Sequence, residues 1–259
     1  MNEPNIYELT NPQKSIWITE QFYQGSSINN ICGTAIIKEE VDFDLLKKAI
    51  LEVLKKNDIF KTKLLLIEET PKQCITDNIN SEITFYSVKD YEELDRIRKD
   101  IVSKSFNMLN SYLYNFYVFK MPNNQGAFML NIHHILADSW TLGLISKEVI
   151  RIYSQLKNNK YNSESPIVSY EQYIKKEKEY MNSDRFLKDK TYWKNKFKNI
   201  PEIANINTIK DNITNINSYA GKRELYELNL TTVETIKHYC KQKNISLYNF
   251  FMSIFAVYI

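Results

Sequence analysis

Between Phe128 and Leu156 the apolar residues change their spacing, and that change constrains the local architecture more tightly than any other feature of the chain. Phe128, Met129, Leu130 and Ile132, interrupted by Asn131, form the short apolar run of a strand. Leu142, Ile145, Val149, Ile152, Tyr153 and Leu156 then recur every three or four residues, which is one face of a helix. A strand therefore ends and a helix begins within Asn131-Ile132-His133-His134-Ile135-Leu136-Ala137-Asp138-Ser139-Trp140. The chain has three histidines in 259 residues, and two of them are adjacent in this junction. Loops held by rigid elements are where reactive groups tend to be placed.

Imidazole, with a reference pKa of about 6.5, can take a proton at physiological pH, so the junction offers a general base. Asp138, five residues after His133, has two readings. It holds the loop by bonding a cation or backbone N–H groups, or it caps the helix that starts near Trp140. The plainer reading of the whole junction is a polar loop followed by an ordinary cap.

The flanking chain supplies the rest of an α+β domain. Tyr112 to Phe119 is aromatic and β-branched, a strand joined to the histidine-bearing one by the turn Pro122-Asn123-Asn124-Gln125-Gly126. Its aromatic residues are read as sheet packing rather than a ligand box. Near the start, Asn11 as N-cap with Pro12 behind it opens a helix that carries Ile16, Trp17 and Glu20-Gln21 on successive turns. Residues 31–37 form a strand. Asp42 caps a helix whose core face is Leu45, Leu46, Ala49, Ile50, Val53 and Leu54. Leu64 to Ile67 is a strand, Glu69-Thr70-Pro71-Lys72 a turn, and Gln73 to Thr76 the returning strand. Glu82 to Val88 is a further strand, and Asp90 with Glu93 forms a capping box ahead of Leu94, Ile97 and Ile101.

Beyond the helix at 140–157, Asn158 to Glu164 is loop-like, and Ser169 with Gln172 forms another capping box. Tyr192, Trp193 and Phe197 belong to one more helix. Ile200 to Ser218 has no period and is read as the crossing between two subdomains. Arg223 to Leu230 alternates like a strand, Thr231 and Glu234 cap the helix holding a solvent-exposed His238, and Ser246 opens the last helix. In that helix Phe250, Phe251, Ile254, Phe255, Val257 and Ile259 are apolar nearly all round, a pattern normally buried on several sides. The expectation is a portion of a longer protein, with an exposed apolar helix at 246–259.

Composition narrows the function classes. Charged residues make up 25% and apolar ones 43%, as in ordinary soluble domains, and the length suits one large or two small ones. The net charge of +3 is spread among mixed lysines and acids, so no basic stripe supports nucleic-acid binding. Cys32, Cys74 and Cys240 are odd in number and far apart, which suits neither a disulfide framework nor a zinc site. No metal is expected, and a reduced cytoplasmic setting is. The longest apolar run, Leu247 to Ile259, is too short to span a bilayer, and Met1-Asn2-Glu3-Pro4 opens no signal pattern.

His133-His134-Ile135-Leu136-Ala137-Asp138-Ser139 resembles the His-His-x-x-x-Asp-Gly core of the condensation domains of nonribosomal peptide synthetases, within the chloramphenicol-acetyltransferase-like superfamily. Three more segments match in order. Leu9 to Trp17 is similar to the opening motif, with Gln13 and Trp17 in place; Lys56 to Thr62 to the second, usually Arg-His-Glu-x-Leu-Arg-Thr; and Ser169-Tyr170-Glu171-Gln172-Tyr173 to the Tyr-x-Asp-Tyr segment. The resemblance implies an α/β-sandwich lobe, a mixed sheet flanked by helices, over residues 1–175. It implies a connecting helix and crossover at 176–219, and the start of a second similar lobe at 220–259.

The implied activity is amide formation between acyl or aminoacyl thioesters carried on the phosphopantetheine arms of donor and acceptor carrier proteins. No cofactor is bound directly, and the wider partner is a synthetase with an adenylation domain. His134 would position the amine or take its proton, Asp138 would keep the loop in shape, and His133 would be structural. Three departures bear on this. Ser139 replaces the core glycine beside Trp140, Glu171 replaces an aspartate, and Lys61 replaces the arginine expected to pair with Asp138, keeping the charge without the planar fork. Two alternatives remain open: a stand-alone coenzyme A-dependent acyltransferase, and a non-catalytic remnant that docks carrier proteins.

Overall fold

A computed structural model describes residues 5–162, 169–200 and 224–258. The chain divides into two compact units, Met1–Leu187 and Lys188–Ile259.

The first unit is built in the order β1 (Ile6–Glu8), α1 (Asn11–Phe22), β2 (Asn30–Ile37), α2 (Phe43–Lys56), β3 (Thr62–Ile67), β4 (Thr70–Ile75), β5 (Ile83–Ser87), α3 (Tyr91–Val102), β6 (Tyr114–Lys120), β7 (Gly126–His133), α4 (Ser139–Lys157) and α5 (Tyr170–Met181). The main sheet runs β2-β7-β6-β5 and is mixed: β5 and β6 are parallel, the other pairs antiparallel. A smaller antiparallel sheet runs β1-β4-β3. The architecture is α+β, a mixed sheet flanked by helices, as expected.

The strand carrying the histidines is central and covered on both faces, which is why its sequence is a nearly continuous apolar run. Phe128, Leu130 and Ile132 belong to the core that includes Phe116 and Tyr114 of β6, Leu46, Ile50 and Val53 of α2, and Ile145, Val149 and Ile152 of α4. Ala127 and Met129 belong to a second cluster with Phe119, Met121 and, from α3, Leu94 and Ile101. Each large side chain buried here contributes about 1.5–3 kcal/mol. The Asp42 side chain accepts from the Leu45 N–H at 3.0 Å to cap α2, as its position suggested.

Several local expectations shift. The N-cap of α1 is Thr10, one residue before Asn11: its N–H donates to the Gln13 carboxamide at 2.9 Å, so the box partner three residues on decides the start. The turn expected at 69–72 lies at Glu68 and Glu69, with φ of 48° and 61°, and Thr70 to Lys72 are already in β4. Pro71 is tolerated there because β1 pairs β4 only from Lys72 onward, so its missing N–H faces no neighbour on that side. Ser169 precedes α5 without a side-chain capping bond, so the expected box is not made.

In the second unit, α6 (Asp184–Lys196), which starts in the first, is followed after the undescribed segment by α7 (Leu230–Lys243) and α8 (Leu247–Tyr258). The strand expected at 223–230 is absent from its described part: 224–229 is irregular and Leu230 already begins α7. The cap of α7 is Asn229, whose side chain accepts from Thr232 N–H at 2.8 Å, and not Thr231. Tyr239 of α7 meets Phe250 of α8 edge-on at 5.9 Å, and Ile254, Phe255 and Val257 are exposed. The Ile200–Ser218 crossing lies, from 201 on, outside the described residues. Among those described, no helix is long and apolar enough to cross a membrane.

Candidate functional site

The strand end is clamped from both sides. The His133 N–H donates to Leu113 O at 2.9 Å just before β6, and the His134 N–H donates to Asn29 O at 2.8 Å just before β2. Leu136 N–H closes a turn onto His133 O at 3.0 Å. Ile135, Leu136 and Ala137 are buried beneath that turn. The strand's alternation then sends the two imidazoles to different sides.

His133 points inward and is 2% exposed. Its Nδ1 accepts the Ile135 N–H at 3.1 Å, and its Nε2 lies 3.2 Å from the Glu20 carboxylate. Phe106 meets the ring edge-on at 6.3 Å. A nitrogen that accepts an N–H carries no proton, so the neutral ring is protonated at Nε2 and donates to Glu20. Burial pushes the His133 pKa down, and the bond to Glu20 opposes that shift without reversing it. His133 is thus held inside the fold rather than open to solvent.

His134 is exposed, and among the described residues no side chain bonds its imidazole. Its ring is thus open to an incoming proton donor while its backbone is fixed.

Asp138 is the N-cap of α4: its carboxylate accepts from the Thr141 N–H at 2.8 Å and the Thr141 hydroxyl at 2.7 Å. Those two bonds hold it below the usual carboxylate range. The pairing with Lys61 implied by the resemblance is not made. Lys61 Nζ instead lies 3.4 Å from Asp58 on the same short helical turn, a partner three residues away that costs less side-chain ordering. Ser139 is the first residue of α4 and exposed, so its side chain sits on helical backbone with open space outside. Trp140, 76% exposed, follows it. The structure thus gathers His133, His134, Asp138, Ser139 and Trp140 along one turn and engages Lys61 elsewhere.

The other motif residues form a staple rather than part of this turn. The carboxamides of Gln13 and Gln73 bond each other at 2.9 and 3.0 Å, both buried, and Gln73 also donates to Glu8 O at 2.8 Å. The Tyr170 hydroxyl interacts with the Thr10 and Gln73 side chains, and burial pushes its pKa up to about 12. The Tyr170 N–H donates to Asp58 Oδ2 at 3.3 Å. Glu20 and Asn29 were not singled out from sequence as site residues. The available signal was Gln13 and Glu20, two helical turns apart on α1 and both buried, a polar pair on an otherwise apolar face. Among the described residues, no group of three or more His, Cys, Asp and Glu side chains is arranged to hold a metal ion.

Comparison with known proteins bears on the fold and the family. The chain is 27% identical to surfactin synthase subunit 1 of Bacillus subtilis (strain 168) over 264 residues, covering 99% of this chain and 7% of that protein. It is 24% identical to bacitracin synthase 2 of Bacillus licheniformis over 256 residues, covering 97% of this chain and 9% of that one. Among solved structures, the starter condensation domain of rhizomide synthetase RzmA superposes with a TM-score of 0.71 at 20% identity, over 76% of this chain and 49% of that one. The first condensation domain of the calcium-dependent antibiotic synthetase superposes with a TM-score of 0.69 at 17% identity, over 78% and 50%. The chain spans about half the length of these solved domains and under a tenth of the two synthases. A family model described as a condensation domain matches residues 3–259, and the chain belongs to that family.

Proposed function

We propose that this chain forms the His-His lobe of a condensation domain in a nonribosomal peptide synthetase, with 1–175 as that lobe, 176–219 as the connection and 220–259 as the start of a second lobe. It joins a donor acyl or aminoacyl thioester to the amine of an acceptor, each delivered on the phosphopantetheine arm of a carrier protein. The amine nitrogen attacks the thioester carbonyl, the C–N bond forms as the C–S bond breaks, and the amine proton ends on the departing sulfur. Most of the rate gain comes from holding the two arms together. His134 orients the amine or relays that proton. The observation that supports this reading most is the pairing of a clamped backbone with an exposed imidazole at His134. His133 and Asp138 shape the turn, with Ser139 and Trp140 at the mouth of α4. Adenylation and carrier domains would be the partners, in the cytoplasm.

A second reading, a non-catalytic docking remnant, is favoured by one feature: Lys61 lies beside Asp58 and does not pair with Asp138. The experiment is a condensation assay on the full-length protein carrying this chain, with donor and acceptor loaded on carrier proteins and product read by mass spectrometry. Loss of product in His134→Ala, with carrier binding kept, supports the catalytic reading. Product formed equally well by the variant points to docking. Turnover of a coenzyme A-bound donor in place of the carrier-bound one would move the assignment to a stand-alone acyltransferase.

A further inference from the structure

The carboxylate of Glu20 is 5% exposed on the inner face of α1, an expensive place for an acid unless it is fully engaged. It accepts from the Asn29 carboxamide at 2.8 Å and from His133 Nε2 at 3.2 Å, both at the same oxygen. Asn29 in turn accepts the His134 N–H at its backbone oxygen, 2.8 Å away. On the far side of the ring, His133 Nδ1 accepts the Ile135 N–H. One carboxylate therefore ties helix α1, the loop before β2 and the turn after β7 into a closed set of hydrogen bonds. That set encircles the exposed imidazole's backbone and leaves its ring free.

We propose that Glu20, braced by Asn29, is a positioning residue that locks His133 in its Nε2-protonated tautomer and so holds the turn that presents His134. Without the acceptor, a buried N–H is orphaned, the ring is free to move its proton to Nδ1, and the Ile135 N–H loses its partner. The relation parallels the orientation of one imidazole by a buried carboxylate, except that the oriented ring here is not the reacting one. The inference rests on the reading of His134 as the reacting group, and its first readout does not depend on activity.

The test is nitrogen-15 NMR of the histidine rings in the whole 259-residue chain, whose three histidines are assigned by removing His134 and His238 in turn. At neutral pH, His133 is expected as the neutral Nε2–H tautomer. Glu20→Gln keeps an acceptor and keeps that signature, whereas Glu20→Leu mixes the two tautomers and shifts the His134 signals. In the condensation assay, Glu20→Leu lowers kcat by roughly ten- to a hundredfold with KM within about twofold, and Glu20→Gln restores most of it.

An Nδ1–H or imidazolium signature for His133 in the unaltered chain overturns the proposal. So does a folded Glu20→Leu chain with unchanged His133 and His134 signals. If Glu20→Leu does not fold, the unaltered chain and Glu20→Gln decide: matching Nε2–H signatures support the lock, and loss of that signature in the folded Gln variant overturns it. The expected tautomer in a full-length protein that forms no amide supports the lock and counts against the condensation reading alone.

Discussion

His133 and His134 are neighbours in the chain and opposites in environment: the first is 2% exposed and bonded to Glu20 at 3.2 Å, the second lies open to solvent. Substitution should separate them. His133→Ala removes one of the two donors to the buried Glu20 carboxylate and strands the Ile135 N–H, at a cost of about 1–3 kcal/mol in unfolding free energy. His134→Ala removes no bond among the described residues and should stay within about 0.5 kcal/mol of the parent while losing product formation. Denaturant titration beside the condensation assay checks both. A His134→Ala chain that unfolds as readily as His133→Ala would mean that its ring packs after all.

The buried ring also sets a pH dependence. Its folded pKa lies below histidine's ordinary 6.5 because burial disfavours the cation. Between the two values the unfolded chain binds more protons than the native one, so stability rises with pH across that window. The contribution is complete above the unfolded value and is lost as pH falls below it. Unfolding free energy should therefore decline as pH falls below about 7, and the decline should be smaller in a folded His133→Asn chain. Equal slopes in the two proteins would contradict the assignment.

The period change between Phe128 and Leu156 located both elements and the turn between them, because burial on both faces of β7 and on one face of α4 leaves a direct imprint on spacing. Asp42 and Asp90 were equally legible as caps, each accepting an N–H three residues on. What spacing does not carry is which of two nearby partners a side chain chooses. Lys61 took the local Asp58 rather than a distant carboxylate, and Thr10 displaced Asn11 as the cap because Gln13 was in reach. The tie between Glu20 and His133 spans 113 residues, and only the folded sheet brings them together. At 224–229 the alternation did not make a strand, because alternation describes a face and not the ladder that pairs it.

The staple of Gln13, Gln73 and Tyr170 should behave as a structural unit. Tyr170→Phe removes a buried hydroxyl that interacts with Thr10 and Gln73 and leaves the ring packing intact, so a loss of about 1 kcal/mol is expected. Gln73→Ala should cost more, since it leaves the Gln13 amide N–H without its acceptor and frees Glu8 O together. In the double variant the losses should fall short of additive by roughly 0.5 kcal/mol or more, because both act on the same network. Strict additivity would mean that Tyr170 and Gln73 are energetically separate.

Asp138 allows its cap and its charge to be told apart. Its carboxylate accepts the Thr141 N–H and hydroxyl, which is a helix cap, and its negative charge also lies within electrostatic reach of His134. Asparagine caps helices about as well as aspartate, so Asp138→Asn should keep stability within a few tenths of a kcal/mol, whereas Asp138→Ala should lose about 1 kcal/mol. The two bonds depress the folded pKa below the ordinary 3.8, so the native chain binds fewer protons than the unfolded one as pH drops past that value. The resulting stability is present above about pH 4, disappears as pH falls through the folded pKa, and should be missing from the acid limb of the Asn variant's stability curve. Product formation is the deciding readout. If the cap is the whole role, Asp138→Asn forms amide at close to the parent rate; a large loss of kcat in a stably folded Asn variant would show that the turn needs the charge itself.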